Sequence, residues 1–361
     1  MFSSPPYAGK TLMGFALLLV SLVVFPLSLS AQDKSKASNG DQDDEIKLQT
    51  EEVSIPVTVR DRKSGNLVPN LDKKGFKIYE DGVQQQISFF SAERVPVNVV
   101  LLLDTSSSVQ SEIDNIKTSA WSFIQQMGDN DKFSIISFTD TVDLMLDWTS
   151  DKTKARRALS NLSSGKFTAF NDALYLAATE QLQGIKGRKA IIVLSDGIDN
   201  RASTMTADQA YDAVMRCEAN VYIVSKTAIL RKRMDPENAG YRKPDGSLMI
   251  PVDNQELYEN LKKIAVVLKD SEANLTKLSD DTGGRIYLPM SMNDLDATYK
   301  QVADELKSQY VINFVSSNTK HDGSFRWVKV KIEGSDLKAY SRGGYYAPKD
   351  EADVKVTLKH P

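Results

Sequence analysis

The stretch Val99–Gln110, VVLLLDTSSSVQ, decides how the rest of the chain is read. Its five leading apolar residues, Val99 to Leu103, predict a buried parallel strand, because the run is short for a helix and opens on β-branched side chains. The strand leads straight into Asp104, Ser106 and Ser108, and a helical pattern starts shortly afterwards. A carboxylate and two hydroxyls at alternate positions set hard oxygen donors at the carboxyl end of a central strand, where α/β sheets bind ligands. The same residue types are common helix N-caps, so D-x-S-x-S taken alone serves either purpose.

Outward from that strand, β and α patterns alternate. Ile113, Ile116, Ala120, Phe123 and Met127 recur at helical spacing and give one buried face. Phe133–Phe138 and Val142–Leu146 read as strands joined by a Thr139-Asp140-Thr141 turn, and 152–162 and 171–182 read as helices. Ala190–Leu194 is a second wholly apolar strand that also ends in a carboxylate, Asp196, followed by Gly197. Ala207–Cys217 is helical, and Val221–Val224 is a third buried strand. Such alternation predicts a mostly parallel sheet flanked by helices, with the loops after adjacent strands meeting at one edge. Asp104, Ser106, Ser108, Thr168 and Asp196 then converge from almost a hundred positions of sequence.

The ordered set Asp104-x-Ser106-x-Ser108, then Thr168 in a Gly-led loop before a helix, then Asp196-Gly197 after an apolar strand, resembles a von Willebrand factor A (VWFA) domain. That family has a Rossmann-like sheet and a metal-ion-dependent adhesion site (MIDAS) built from these five positions. Over roughly residues 46–348 the chain is similar to the exported bacterial VWFA-related proteins of the Acidobacteria type, in which a FKIYEDG-like β segment precedes the domain and a segment like LKSQYVINF…GGYYAP follows it. The resemblance implies that Ser106 and Ser108 hold the ion directly, Thr168 directly or through water, and Asp104 and Asp196 through water or by fixing the hydroxyls. Hard oxygens with only two carboxylates suit Mg²⁺ (or Mn²⁺). A position left open on the ion admits the Asp or Glu carboxylate of a protein partner. The loop departs from the family's Gly-Gly-Thr in reading Gly165-Lys166-Phe167-Thr168, which adds bulk and a positive charge that either repels a metal or attracts an acidic ligand.

The flanks complete the organisation. Lys10 is the only charged side chain before Asp33, and Thr11–Leu29 is almost continuously apolar up to small residues near Ala31. Residues 1–31 therefore read as a secretory signal peptide, with an uncleaved anchor as the alternative, and export follows in either case, to the periplasm or outside the cell. Residues 32–45 are a polar linker too poor in apolar side chains to order itself. In 46–95, Val53, Ile55, Val57 and Val59 alternate with polar positions, Pro56 argues for an edge, and Asp81-Gly82 marks a hairpin. We expect 96–306 to form the α/β domain, with 228–254 as a long loop acting as a lid or a partner surface, or else as a solvated insertion. The strands of 307–348 are expected to pack with 46–95 as a small β-sandwich, leaving 349–361 as a tail.

Composition narrows the function. Of 361 residues, 41% are hydrophobic and the formal net charge is -3, which gives no basic footprint for nucleic acid. One cysteine, Cys217, leaves no intramolecular disulfide and no lipid-anchored N-terminal cysteine. Two histidines, His321 and His360, exclude a His-rich zinc site and leave a serine nucleophile without a base, and no G-x-S-x-G elbow exists. The expectation is a non-enzymatic, exported adhesion or protein-interaction module that inserts into no membrane once the signal is cleaved. The alternatives are an envelope scaffold with an idle site or, further off, a hydrolase using Ser106 or Ser108.

Overall fold

Alternate residues of one apolar strand are buried on opposite sides, and this fixes the layers. Val99, Leu101 and Leu103 enter one core cluster, and Val100 and Leu102 enter another, all five fully buried. A strand buried on both faces belongs to the middle of a sheet covered by helices. The structure is a computed structural model; it describes residues 52–106, 113–200, 202–234 and 255–349, all within the unit Thr50–Pro361.

In chain order the strands are β1 (Glu52–Asp61), β2 (Phe76–Glu80), β3 (Val83–Gln85), β4 (Ile87–Ser91), β5 (Val97–Asp104), β6 (Lys132–Phe138), β7 (Val142–Thr149), β8 (Arg188–Ser195), β9 (Asn220–Ser225), β10 (Arg285–Tyr287), β11 (Tyr310–Val315), β12 (Phe325–Ile332), β13 (Leu337–Tyr340) and β14 (Gly344–Tyr346). The helices are α1 (Ile113–Gln126), α2 (Lys152–Ser160), α3 (Phe170–Leu176), α4 (Ala207–Cys217), α5 (Thr227–Met234), α6 (Gln255–Asp281) and α7 (Leu295–Lys307). The central sheet runs β10-β9-β8-β5-β6-β7, parallel throughout except for the β6–β7 pair. Helices α1, α2 and α7 share one core with it, and α3, α4 and the end of α6 share the other. The mostly parallel α/β architecture is as the sequence pattern predicts.

The flanking segments form two four-stranded antiparallel sheets, β13-β1-β11-β4 and β14-β12-β2-β3. Both contribute to one core that includes Ile55, Val57, Phe76, Ile78, Ile312, Phe314 and Tyr345, so they pack face to face. Each sheet draws strands from both ends of the described chain. The Asp81-Gly82 turn joins β2 to β3 with both residues at positive φ, the geometry of a tight hairpin.

Several expectations needed correction. Pro56 and Thr58 are buried rather than wet, because the outer side of β1 lies against other parts of the chain: Gln309 approaches the Thr58 hydroxyl, and the Arg342 guanidinium donates to the Ser54 carbonyl at 3.1 Å. Nor is β1 an edge strand, although β13 pairs only with Thr58–Asp61, so Pro56 lies where there is a neighbour on one side alone. The strand expected after Asp81-Gly82 splits in two: the Gln85 amide is held by Ser317, and β4 then crosses to pair with β11 in the other sheet. The start of the 228–254 loop is helix α5, which buries Ala228 and Ile229. Residues 235–254, the predicted signal peptide and linker (1–45), Ser108 and the end of the tail lie outside the described residues.

Candidate functional site

Three neighbouring parallel strands end in charge at the same edge. β5 ends in Asp104, β8 is followed by Asp196 and β9 by Lys226, and Ser195 and Ser225 pair in register just before the last two. Asp104, Thr105, Ser106, Thr168, Asp196 and Lys226 are all buried. A sheet edge this polar and this dry requires partners for each group.

Asp104 makes the most contacts. One carboxylate oxygen, Oδ1, accepts the Ser106 N–H at 3.0 Å, and Oδ2 accepts the Ser195 hydroxyl at 2.8 Å. The Lys226 ammonium lies 3.4 Å from the same Oδ2, with both side chains at most 2% exposed. Ser195 in turn accepts the Gly197 N–H at 2.9 Å, which sets the turn into Asp196. Gly197 sits at φ 71°, and a Cβ there would press on Leu275 of α6, so the glycine serves both the backbone angle and the close approach. The Asp196 carboxylate accepts the Ile198 N–H at 3.1 Å, and its carbonyl accepts the Ser271 hydroxyl of α6 at 2.6 Å.

The Thr168 loop is anchored on every side. Gly165 donates to the Thr105 carbonyl at 3.0 Å and leaves no room for a Cβ beside Thr139, while Ala169 donates to the Thr139 carbonyl at 2.7 Å. The Phe167 N–H reaches Asp140, the Thr168 N–H reaches the Asn200 side chain at 2.7 Å, and Asp199 accepts from Asn171 at 3.1 Å. Asp140, Asp199 and Asn200 therefore position loops. Lys166 and Phe167 project at the surface, with Phe167 52% exposed.

Burial pushes the Asp196 carboxyl above the usual carboxylate range; Lys226 pulls it back, and the Asp104 charge adds to the rise. The fold thus sets Asp104, Ser106 and Asp196 at one edge and ties the Thr168 loop to it through the Gly165–Thr105 backbone bond, and Ser108 falls outside the described residues. Hydroxyls and two carboxylates fit a small hard cation, and a carboxyl held up by burial and a like charge is one that a cation would relieve. Among the described residues no group of three or more His, Cys, Asp or Glu side chains offers a metal cage. Sequence reasoning passed over Ser195 and Lys226. The signal for Lys226 was present: a charged residue directly after the apolar strand VYIVS, in step with Asp104 and Asp196.

Residues 99–198 match the family model of the von Willebrand factor type A domain, and the chain carries such a domain. None of the curated proteins matches the chain. Among solved structures, an aerotolerance-related membrane protein from Bacteroides fragilis is similar over 58% of this chain and 98% of its own, at 21% identity and TM-score 0.36. A von Willebrand factor type A protein from Catenulispora acidiphila is similar over 76% of this chain and 73% of its own, at 12% identity and TM-score 0.43. A proximal thread matrix protein from the mussel byssus, with zinc occupying its MIDAS motif, is similar over 62% of this chain and 48% of its own, at 14% identity and TM-score 0.43.

Proposed function

We propose that this von Willebrand factor type A domain is an exported protein-interaction module that binds an acidic group of a partner through a divalent cation, Mg²⁺ or Mn²⁺. The observation that supports the reading is that buried Asp104 and Asp196 follow neighbouring parallel strands at one edge of the central sheet, with the buried Ser106 N–H donating to Asp104. When bound, the cation supplies an open coordination position for a carboxylate. The chain's own residues do the rest. Ser106, Ser108 and Thr168 offer hydroxyl oxygens, Asp104 and Asp196 balance charge and orient them, and exposed Phe167 and Lys166 supply apolar and cationic surface beside the mouth for an acidic ligand. Export rests on the charge-poor apolar stretch Thr11–Leu29 after Lys10. No catalytic step is proposed.

Calorimetric titration of MgCl₂ and MnCl₂ into the purified protein, beside Ser106→Ala and Asp196→Asn, tests the reading. Micromolar to millimolar binding that weakens in both variants supports it. A protein that is folded and releases no heat with either ion instead favours an envelope scaffold, the second reading, for which Lys226 beside Asp104 is the specific observation.

A further inference from the structure

A fully buried lysine is rare unless it is paired, and Lys226 is among the largest fully buried side chains of the protein. Among the described residues its ion pair is with Asp104 alone. The placement follows from the fold: Ser225 is in register with Ser195, the Lys226 N–H donates to the Ser195 carbonyl at 3.3 Å, and α5 begins on the Lys226 carbonyl, which accepts from Leu230 at 2.9 Å. The backbone is thereby fixed on both sides, and the ammonium is directed at the carboxylate around which the site is built. A lysine serving packing alone would carry its charge out to water, as long cationic side chains do.

We propose that Lys226 is the resident cation of this site: its ammonium neutralises Asp104 from within, holds the sheet edge together without metal, and makes divalent-cation binding weak and dependent on an acidic ligand. The inference rests on the cation-site reading above. With Lys226 present, the two carboxylates and the ammonium leave one net negative charge. A divalent ion converts that to one net positive charge, and a ligand carboxylate brings it to neutrality. Without the lysine, the divalent ion alone neutralises the site and an added carboxylate leaves it negative. A positive charge already paired with Asp104 would oppose a divalent ion in a site shielded from water, so the lysine couples cation and acidic ligand, each completing the charge balance of the other.

The test compares wild type, Lys226→Met and the double variant Asp104→Asn/Lys226→Met, titrated with MnCl₂ in the presence and absence of acetate as the carboxylate probe. Lys226→Met is expected to bind Mn²⁺ roughly ten- to hundredfold more tightly than wild type. Acetate is expected to strengthen Mn²⁺ binding in wild type and to do less in Lys226→Met. Melting in EDTA gives a readout independent of binding: wild type is unaffected by the chelator, whereas Lys226→Met loses stability and regains it with millimolar Mg²⁺. Equal Mn²⁺ affinities and equal EDTA responses in wild type and Lys226→Met overturn the inference and leave the cation site standing. If Lys226→Met unfolds in EDTA, failure of Mn²⁺ to restore it while the double variant folds also overturns the inference. Absence of Mn²⁺ binding in both folded wild type and folded Lys226→Met removes the cation-site reading itself, and this inference with it.

Discussion

Replacing Arg60 by Met tests whether the β layers and the α/β layers are locked through a buried charge. Glu305 of α7 is 2% exposed, and one of its carboxylate oxygens accepts both the Arg60 guanidinium of β1 and the Tyr287 hydroxyl of β10, the latter at 2.7 Å. Burial, together with the Glu305 charge, holds that phenol well above its usual range, so it stays protonated and donates. Removing Arg60 leaves a buried carboxylate with one neutral donor, a change that costs about 3–5 kcal/mol. At about 2 °C per kcal/mol for a body of this size, Arg60→Met should melt about 6–10 °C below wild type. Arg60→Met/Glu305→Gln, which removes the charge altogether, should recover most of the loss. A loss under about 1 kcal/mol would refute the reasoning.

Three further outcomes are expected. Gly283 sits at φ 72°, and a Cβ on it would run into the backbone of Arg342, so Gly283→Ala should lower stability by about 2–4 kcal/mol in thermal melts; a loss below about 1 kcal/mol would mean the contact is slack. Burial pushes the Cys217 thiol up and its S–H is directed at the Val214 carbonyl, so thiol-reactive dye at pH 8 should label the native protein at least about tenfold more slowly than the urea-unfolded chain, and equal rates would contradict its enclosure. A chain ending at Lys307 deprives β1 of β11 and β13, and β2 of β12, uncovering Ile55, Val57 and Ile78; it should be insoluble, and a monodisperse product would show that 46–95 folds without the C-terminal strands.

What could be read from the sequence was whatever local chemistry decides. Helix α4 runs over the predicted Ala207–Cys217, because Thr206 accepts the Gln209 N–H at 3.2 Å while the Gln209 side chain accepts the Thr206 N–H, a start signal written in four residues. The apolar runs of β5 and β8 and the carboxylates after them were likewise legible, since burial on both faces erases alternation and leaves a continuous signature. What escaped depends on distant partners. The polar-side residues Pro56 and Thr58 are buried by chain hundreds of positions away, and β3 parts from β4 because Ser317 holds Gln85. Strand β14 was not anticipated: Gly344 is tolerated there because a Cβ would strike Phe325 and the Arg326 carbonyl, a constraint visible only with β12 alongside. Lys226 escaped for another reason. A search for oxygen donors has no place for a cation among the ligands.

The polar clusters lie at opposite ends of the same strands, and this orders the molecule functionally. At the amino end of β5, Asp131 accepts the Val97 N–H at 3.1 Å and pairs with Arg94. Beside it, buried Arg188 at the start of β8 donates to the Val95 carbonyl at 2.6 Å and the Leu306 carbonyl at 2.8 Å, and also reaches Gln309, which donates to the Tyr222 hydroxyl at 2.8 Å. Gln309 directly precedes β11, so this seam is where the β layers join the α/β layers. The eight residues of β5 carry the chain about 23 Å from there to Asp104. Asp104 therefore lies at the end of β5 away from the seam. The two buried charge systems consequently have separable tasks: substitutions at Arg60, Glu305 or Arg188 should move stability with little effect on cation affinity, whereas substitution of Lys226 should move both, because its ammonium pairs with Asp104 at the edge itself.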